Sequence, residues 1–475
     1  MLMSIGSTFA LELPEIIGSH MMLQQKANAR LWGWAKAGSK VTVTTSWNKH
    51  AVTATAQKDG RWVVEVPTPE ASYDVQQITV KGDGETVVID DVLIGEVWFC
   101  SGQSNMVMPL KGLRNCPVRE GHEEIATSAQ WANKVRVALI PQDQMVAHEP
   151  QQRVHGKWYR PNPKDAPEFG ALAWFYATML TQILDVPVGV IVCAWGGSRI
   201  EGWLPEWYIR QNAPEEDLSL EFPKGNYYTS MDLPMSMYNG MLHPVIGYTI
   251  RGFLWNQGEA NINRGQDTYP KRFTDLVSIW RKEWNQPGWD LPFYTVEMPP
   301  YWYRDAKGQA AATFRTMQWQ LAESVENCGC VCTNDLLDDY EMKNVHGSLK
   351  RPIGQRLAYL AAVRTYGYEG IQCDAPMLES VALDGGKAML TFKNAGEGFS
   401  RFGDIKGFEL MDSKGEWHEA LGSVTAKYNI LKVECDSIGS DIKGVRYNYY
   451  NWSPASRLNC NTYGQPIVPF QYIME

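Results

Sequence analysis

Four short polar segments hold the residue types that acyl transfer requires. They are Ser104 within a turn of Ser101, Gly102, Gln103, Asn105 and Met106, the glycine pair Gly196 and Gly197, the side-chain amide of Gln257, and the imidazole of His346. Acyl transfer needs a nucleophile, a base that titrates near neutrality, and fixed donors for the carbonyl oxygen as it becomes negative. A serine hydroxyl, a histidine, an amide and the backbone N–H groups of glycines, which let a ligand approach closely, are such parts. Each alone has an ordinary explanation. A serine beside glycine is usually a turn residue, and a histidine ahead of helical sequence usually caps or packs. Their shared placement is what gives them weight, because each follows an apolar run with strand character: residues 97–100, 188–193, 250–255 and 330–332.

An open parallel sheet forms its ligand crevice at the carboxyl ends of its strands, so those elements would position the candidates together. Residues 92–373 alternate apolar strands with helical stretches, the pattern of an α/β domain. Further strands are expected at residues 135–139 and 293–296. Leu172, Phe175, Tyr176, Met179, Leu180 and Ile183 recur at helical spacing and predict a helix lying on the sheet. Residues 11–91 read instead as short β-segments separated by turn residues, a small β-sandwich, and residues 374–475 as a second β-domain. No internal repeat is visible.

The chain has 475 residues, too many for one ordinary core, and 44% of them are hydrophobic. A net charge of -9 excludes the electrostatic footprint of a nucleic-acid or anionic-membrane binder. No apolar run reaches the roughly 20 residues that span a bilayer. Residues 1–10 look like the apolar and small-residue end of a secretion signal, which points to a periplasmic or secreted protein. Nineteen Trp and 22 Tyr suit both sugar stacking and core packing. The nine cysteines lack CxxC spacing, and Cys328, Cys330 and Cys332 alternate as on one strand face, so buried free thiols are expected rather than a metal site.

On these residues the chain resembles the sialate O-acetylesterases of the SGNH hydrolase superfamily. Gly102, Gln103, Ser104, Asn105 and Met106 are similar to that family's nucleophile motif. Trp195, Gly196, Gly197 and Ser198, with Glu201 and Trp203, are similar to its second motif, and Trp255, Asn256, Gln257, Gly258 and Glu259 to its third. Val345, His346, Lys350 and the run Gly354, Gln355, Arg356, Leu357, Ala358 resemble its histidine motif. Leu23, Gln24, Trp32 and Trp34 near the start, and Gly407, Phe408, Val445 and Tyr447 near the end, extend the likeness into the flanks.

The resemblance implies a flavodoxin-like SGNH hydrolase domain with a parallel sheet, flanked by N-terminal and C-terminal β-sandwich domains. It implies Ser104 as nucleophile and His346 as base, with Ser101 and Ser198 left as turn residues. It implies an oxyanion hole from the N–H of Ser104, an N–H of Gly196 or Gly197, and the amide of Gln257, with no metal or organic cofactor and an acetylated sugar as partner. Arg199, beside the glycines, is a candidate for a two-point contact with the sialic acid carboxylate, and an ion pair with Glu201 is its plainer role. Acetylxylan or another neutral glycan is the alternative substrate. A carbohydrate-binding protein with a dead hydrolase domain is the alternative of another class. The superfamily often carries an aspartate three residues before the histidine, where this chain has Lys343. Two arrangements are therefore open: a dyad of Ser104 and His346 supported by a main-chain carbonyl, or Asp335 as the orienting acid, with Asp338 and Glu341 as loop acids behind it. Lys343 is expected to point away, since an ammonium there would oppose the imidazolium formed in catalysis.

Overall fold

The computed structural model describes residues 10–142, 149–153, 155–218, 231, 233–262, 264–400, 403–454 and 458–474. The expected secretion-signal segment lies outside them, apart from Ala10. The chain forms two compact units. The first comprises residues 1–112, 120–255 and 272–293, and the second residues 113–119, 256–271 and 294–475.

The first unit is organised by one long strand, Glu85–Gly102. Its first half pairs antiparallel with Ser72–Gly82, which in turn pairs with Lys40–Thr45. Beside these, Asn28–Trp34 and Arg61–Pro67 form a separate antiparallel pair. From Val92 onward the long strand is buried at every position, as a strand covered on both faces must be. That half pairs in parallel with Val188–Ala194, which pairs in parallel with Val135–Leu139. The boundary expected at residues 91 and 92 thus falls inside one unbroken strand. Lys157–Tyr159 adds an antiparallel edge, so the sheet is mixed rather than purely parallel.

The helix Ala171–Leu184 packs on this sheet. Leu172, Phe175, Tyr176 and Leu180 are buried as expected, but so are Ala171, Ala173, Trp174 and Ala177. A helix buried almost all round, rather than one with a single apolar stripe, is the result. Tyr176 meets Trp98 edge to face at 5.4 Å. Phe99, Phe253, Trp280 and Trp284 cluster similarly, at centroid separations of 5.0 to 6.5 Å. Trp62, Trp98, Trp174, Trp195, Trp203, Trp255, Trp280 and Trp284 are all fully buried, so much of the tryptophan stock is core.

In the second unit, Cys328–Val331 neighbours Phe293–Val296, and the helices Ala310–Ser324 and Lys350–Arg364 pack against Cys328–Val331. Cys328, Cys330 and Cys332 are buried free thiols, and the other six cysteines are free as well. The end of the chain forms a seven-stranded antiparallel sheet that runs in spatial order from Met377–Asp384 to Phe470–Ile473. Alternation in Lys387–Lys393 sends Ala388, Leu390 and Phe392 into a core with Phe408, Leu431 and Val433. Among the described residues, no helix is long and apolar enough to cross a membrane.

Candidate active site

In the first unit, the strand Glu85–Gly102 ends in a glycine at φ +133°, a conformation that suits glycine and turns the chain sharply. Gln103 is extended, and Ser104 opens a single helical turn, Ser104–Val107. The turn is closed by Met106 N–H on the Gln103 carbonyl at 2.9 Å and Met108 N–H on the Ser104 carbonyl at 2.8 Å. Asn105 and Met106 are buried beneath it, and Ser104 is half-buried. Ser101 and Ser198, by contrast, are fully buried. Ser198 Oγ accepts the Trp203 indole N–H at 2.9 Å.

The glycine segment follows the neighbouring strand and is held to the serine turn. Trp195 N–H donates to the Gly102 carbonyl at 3.0 Å, and Ser198 Oγ lies 3.5 Å from the same oxygen. Gly197 sits at φ +76°, and a Cβ there would come within 2.2 Å of Met231 Sδ. The structure therefore brings Ser104 and the Gly196–Gly197 backbone to one end of adjacent parallel strands.

Arg199 does not offer a free guanidinium to a substrate. It makes a two-point pair with Glu216, both contacts at 2.7 Å, and its Nη1 stands 3.5 Å from Glu201. Glu201, fully buried, is also paired with Arg272, which reaches Glu215 as well. The ion-pair role expected with Glu201 is present, but as part of a buried network that fixes the segment after the glycines. In this arrangement the Arg199 guanidinium is engaged by two carboxylates.

In the second unit, Asn344 shapes the histidine loop. Its Oδ1 accepts the His346 N–H at 3.0 Å, and its Nδ2 donates to the His346 carbonyl at 2.9 Å. The Cys116 thiol also donates to that Oδ1, at 3.2 Å, and lies 3.9 Å from His346 Nδ1. Burial, aided by the charge of Lys350, lowers the imidazole from its ordinary value to about 4. His346 is thus neutral at physiological pH, the form that can accept a proton.

None of the three acids considered from the sequence pairs with that ring in this arrangement. Asp335 gives both oxygens to Arg356, at 2.7 and 2.6 Å. Asp338 is paired with Arg119. Glu341 accepts the backbone N–H groups of Ser348 at 3.0 Å and Asp338 at 3.2 Å. In this arrangement both Asp335 oxygens are thus engaged by Arg356 rather than by the His346 ring. Lys343 does point elsewhere, with its Nζ 5.5 Å from the Trp302 ring.

Gln257 is almost wholly buried, with its Nε2 donating to Asn261 Oδ1 at 2.7 Å. Its backbone carbonyl receives Gln318 Nε2 at 3.1 Å and the Tyr269 hydroxyl at 3.4 Å, which fixes the main chain at this position. Elsewhere in this unit Asp412, Glu416 and His418 converge within 4.8 Å of one another. Asp412 there accepts the N–H groups of Lys414 and Glu416 and pairs with His418 at 2.9 Å, the pattern of a closed hairpin turn.

The sequence reading assigned no role to Asn344, Cys116, Glu259 or Lys350. Asn344 could have been found from its two-residue spacing to His346, which suits an Asx turn. Lys350 stood within the histidine motif, but its burial is not a local property.

A family model described as "Carbohydrate esterase, sialic acid-specific acetylesterase" matches residues 94–362, more than half of the chain. The chain is 26% identical to a sialate O-acetylesterase of Pongo abelii and 25% identical to one of Homo sapiens, in each case over 98% of this chain and 92% of the relative. A crystal structure of a carbohydrate acetylesterase from Xanthomonas citri is similar with a TM-score of 0.84 and 27% identity, over 97% of this chain and 99% of that one.

Proposed function

The chain belongs to the carbohydrate esterase family of sialic acid-specific acetylesterases and is a carboxylic-ester hydrolase, and on that premise we propose that it removes O-acetyl groups from sialic acid through an acetyl group carried on Ser104. In this reading His346 takes the Ser104 hydroxyl proton as the oxygen attacks the acetyl carbonyl. The transfer uses Nε2 in this reading, which the 3.9 Å approach of Cys116 Sγ to Nδ1 supports. The N–H groups of Ser104 and of Gly196 or Gly197, with the Gln257 amide, hold the oxyanion. The protonated imidazole gives its proton to the departing sugar oxygen, and water activated by the same ring then releases acetate. His346 works as a dyad partner, its loop held by Asn344.

The observation that carries the proposal is the position of Ser104. It opens a helical turn at the end of a central parallel strand, and of the three serines in these turns it alone is not fully buried. The expected three-part division, residues 11–91, 92–373 and 374–475, with a flavodoxin-like SGNH domain between β-sandwiches and export from the cytoplasm, belongs to the same reading. Acetate release from O-acetylated sialic acid tests it. Ser104→Ala should lower kcat by about 10⁴-fold or more with the fold intact. A covalent phosphonate adduct mapped to Ser101 or Ser198 would sink it.

A neutral acetylated glycan is the second reading. It is supported by the engagement of Arg199, the cation first considered for the sialic acid carboxylate, with Glu216 and Glu201.

A further inference from the structure

Residues 113–119 belong to the second unit, although the chain on either side of them belongs to the first. Three contacts fasten this segment to the loop that carries His346. Arg119 N–H donates to the Ser348 carbonyl at 3.0 Å, the Arg119 guanidinium pairs with Asp338, and the Cys116 thiol donates to Asn344 Oδ1 at 3.2 Å. A reciprocal backbone bridge fixes the chain that bears the thiol, with Leu113 N–H on the Cys116 carbonyl at 2.9 Å and Cys116 N–H on the Leu113 carbonyl at 3.0 Å. The Asn344 amide is oriented by His346 itself, because its Oδ1 accepts the His346 N–H and its Nδ2 donates to the His346 carbonyl. An amide oxygen only accepts, so the single proton of the thiol goes to Asn344. Burial pushes the Cys116 thiol up, which keeps that proton in place at neutral pH. The sulfur is then left with lone pairs alone, and His346 Nδ1 lies 3.9 Å from it. A ring nitrogen that faces a lone pair is matched to it only as N–H, which leaves Nε2 unprotonated in the neutral ring.

We propose, on the base role given above to His346, that Cys116 is a positioning residue for the hydrolysis: its sulfur accepts the Nδ1 proton of His346, the place that an acid takes in a catalytic triad, while its own proton anchors it to Asn344. The ring is thus held in one tautomer by a neutral acceptor. Sulfur accepts weakly, and without a negative charge it does little to stabilise the imidazolium formed in catalysis. Its contribution is therefore orientation, and its loss should fall on kcat rather than on KM.

The full-length chain with Cys116→Ala, Cys116→Ser or Cys116→Asp provides the test. The readouts are hydrolysis of p-nitrophenyl acetate and the ¹⁵N NMR shifts of the His346 ring, which report which nitrogen carries the proton. In the parent chain at neutral pH, Nδ1 should be the protonated nitrogen. Cys116→Ala is expected to lose about 10- to 100-fold in kcat with KM within about twofold, the scale of a misplaced catalytic group, and its ring should become a mixture of tautomers. Cys116→Ser, whose hydroxyl can both donate to Asn344 and accept from Nδ1, should recover part of the kcat. Cys116→Asp places a carboxylate before the ring, so its His346 should titrate at higher pH than in the parent. If Cys116→Ala does not fold, the parent tautomer and the Cys116→Asp titration decide. A parent ring protonated at Nε2 overturns the proposal. So does a folded Cys116→Ala with parental kcat and parental ring shifts, or a Cys116→Asp with parental His346 titration. Turnover that survives Ser104→Ala would instead refute the catalytic reading, a distinct failure.

Discussion

The carboxylate of Asp335 and the guanidinium of Arg356 meet at two points, 2.7 and 2.6 Å apart, with Arg356 also donating to the Cys332 carbonyl at 2.8 Å. This pair binds the loop that follows Cys328–Val331 to the helix Lys350–Arg364. Removing one partner of a largely buried pair strands the other charge, a loss of about 3 to 5 kcal/mol when burial is complete. Asp335 retains 19% exposure, so Asp335→Asn should fall near the lower end, about 3 kcal/mol in a urea unfolding experiment. Its kcat should stay within a fewfold of the parent. A loss of several orders of magnitude with an intact fold would return Asp335 to the catalytic role.

Gln257→Ala should lower kcat by about 10² to 10³, equivalent to roughly 2.7 to 4 kcal/mol of transition-state stabilisation. Steady-state kinetics on an activated acetyl ester separates the alternatives. If KM alone rises, the amide binds substrate and does not hold the oxyanion.

Arg199→Met should leave the ratio of kcat/KM for acetylated sialic acid to that for an acetylated neutral sugar unchanged, since the guanidinium is already paired with Glu216. The same variant should lose stability, because Glu201 and Glu216 would keep buried charge with one cation fewer. A selective fall on the sialic acid substrate would show that Arg199 reaches the ligand after all.

The acid limb of kcat/KM should lie near pH 4, because burial and then Lys350 hold His346 there rather than at its ordinary 6.5. The sign for stability follows. The unfolded chain binds this proton near 6.5 and the folded chain only near 4, so stability from neutral His346 is present above pH 6.5 and is lost as pH falls toward 4. Comparing His346→Gln with the parent across that range isolates the contribution. An acid limb near 6.5 would mean that the imidazole is solvated in the working enzyme.

What the sequence by itself determined is the order of strands and the turns at their ends. Apolar runs such as residues 92–102 declare a strand buried on both faces, and the glycine and serine that follow declare a tight turn, so Ser104 and Gly197 could be placed from neighbours alone. The spacing of Cys328, Cys330 and Cys332 likewise declared buried thiols. Which charges neutralise which was decided only by the tertiary structure. Arg199 finds Glu216 and Asp335 finds Arg356 across 17 and 21 residues. Nothing local distinguishes those carboxylates from others nearby in sequence. The change of pairing within Glu85–Gly102 was hidden for the same reason, since one backbone conformation serves both an antiparallel and a parallel neighbour. Lys350 is the sharpest case: a lysine at the start of a helix reads as a solvated cation, and only the tertiary packing leaves it 2% exposed.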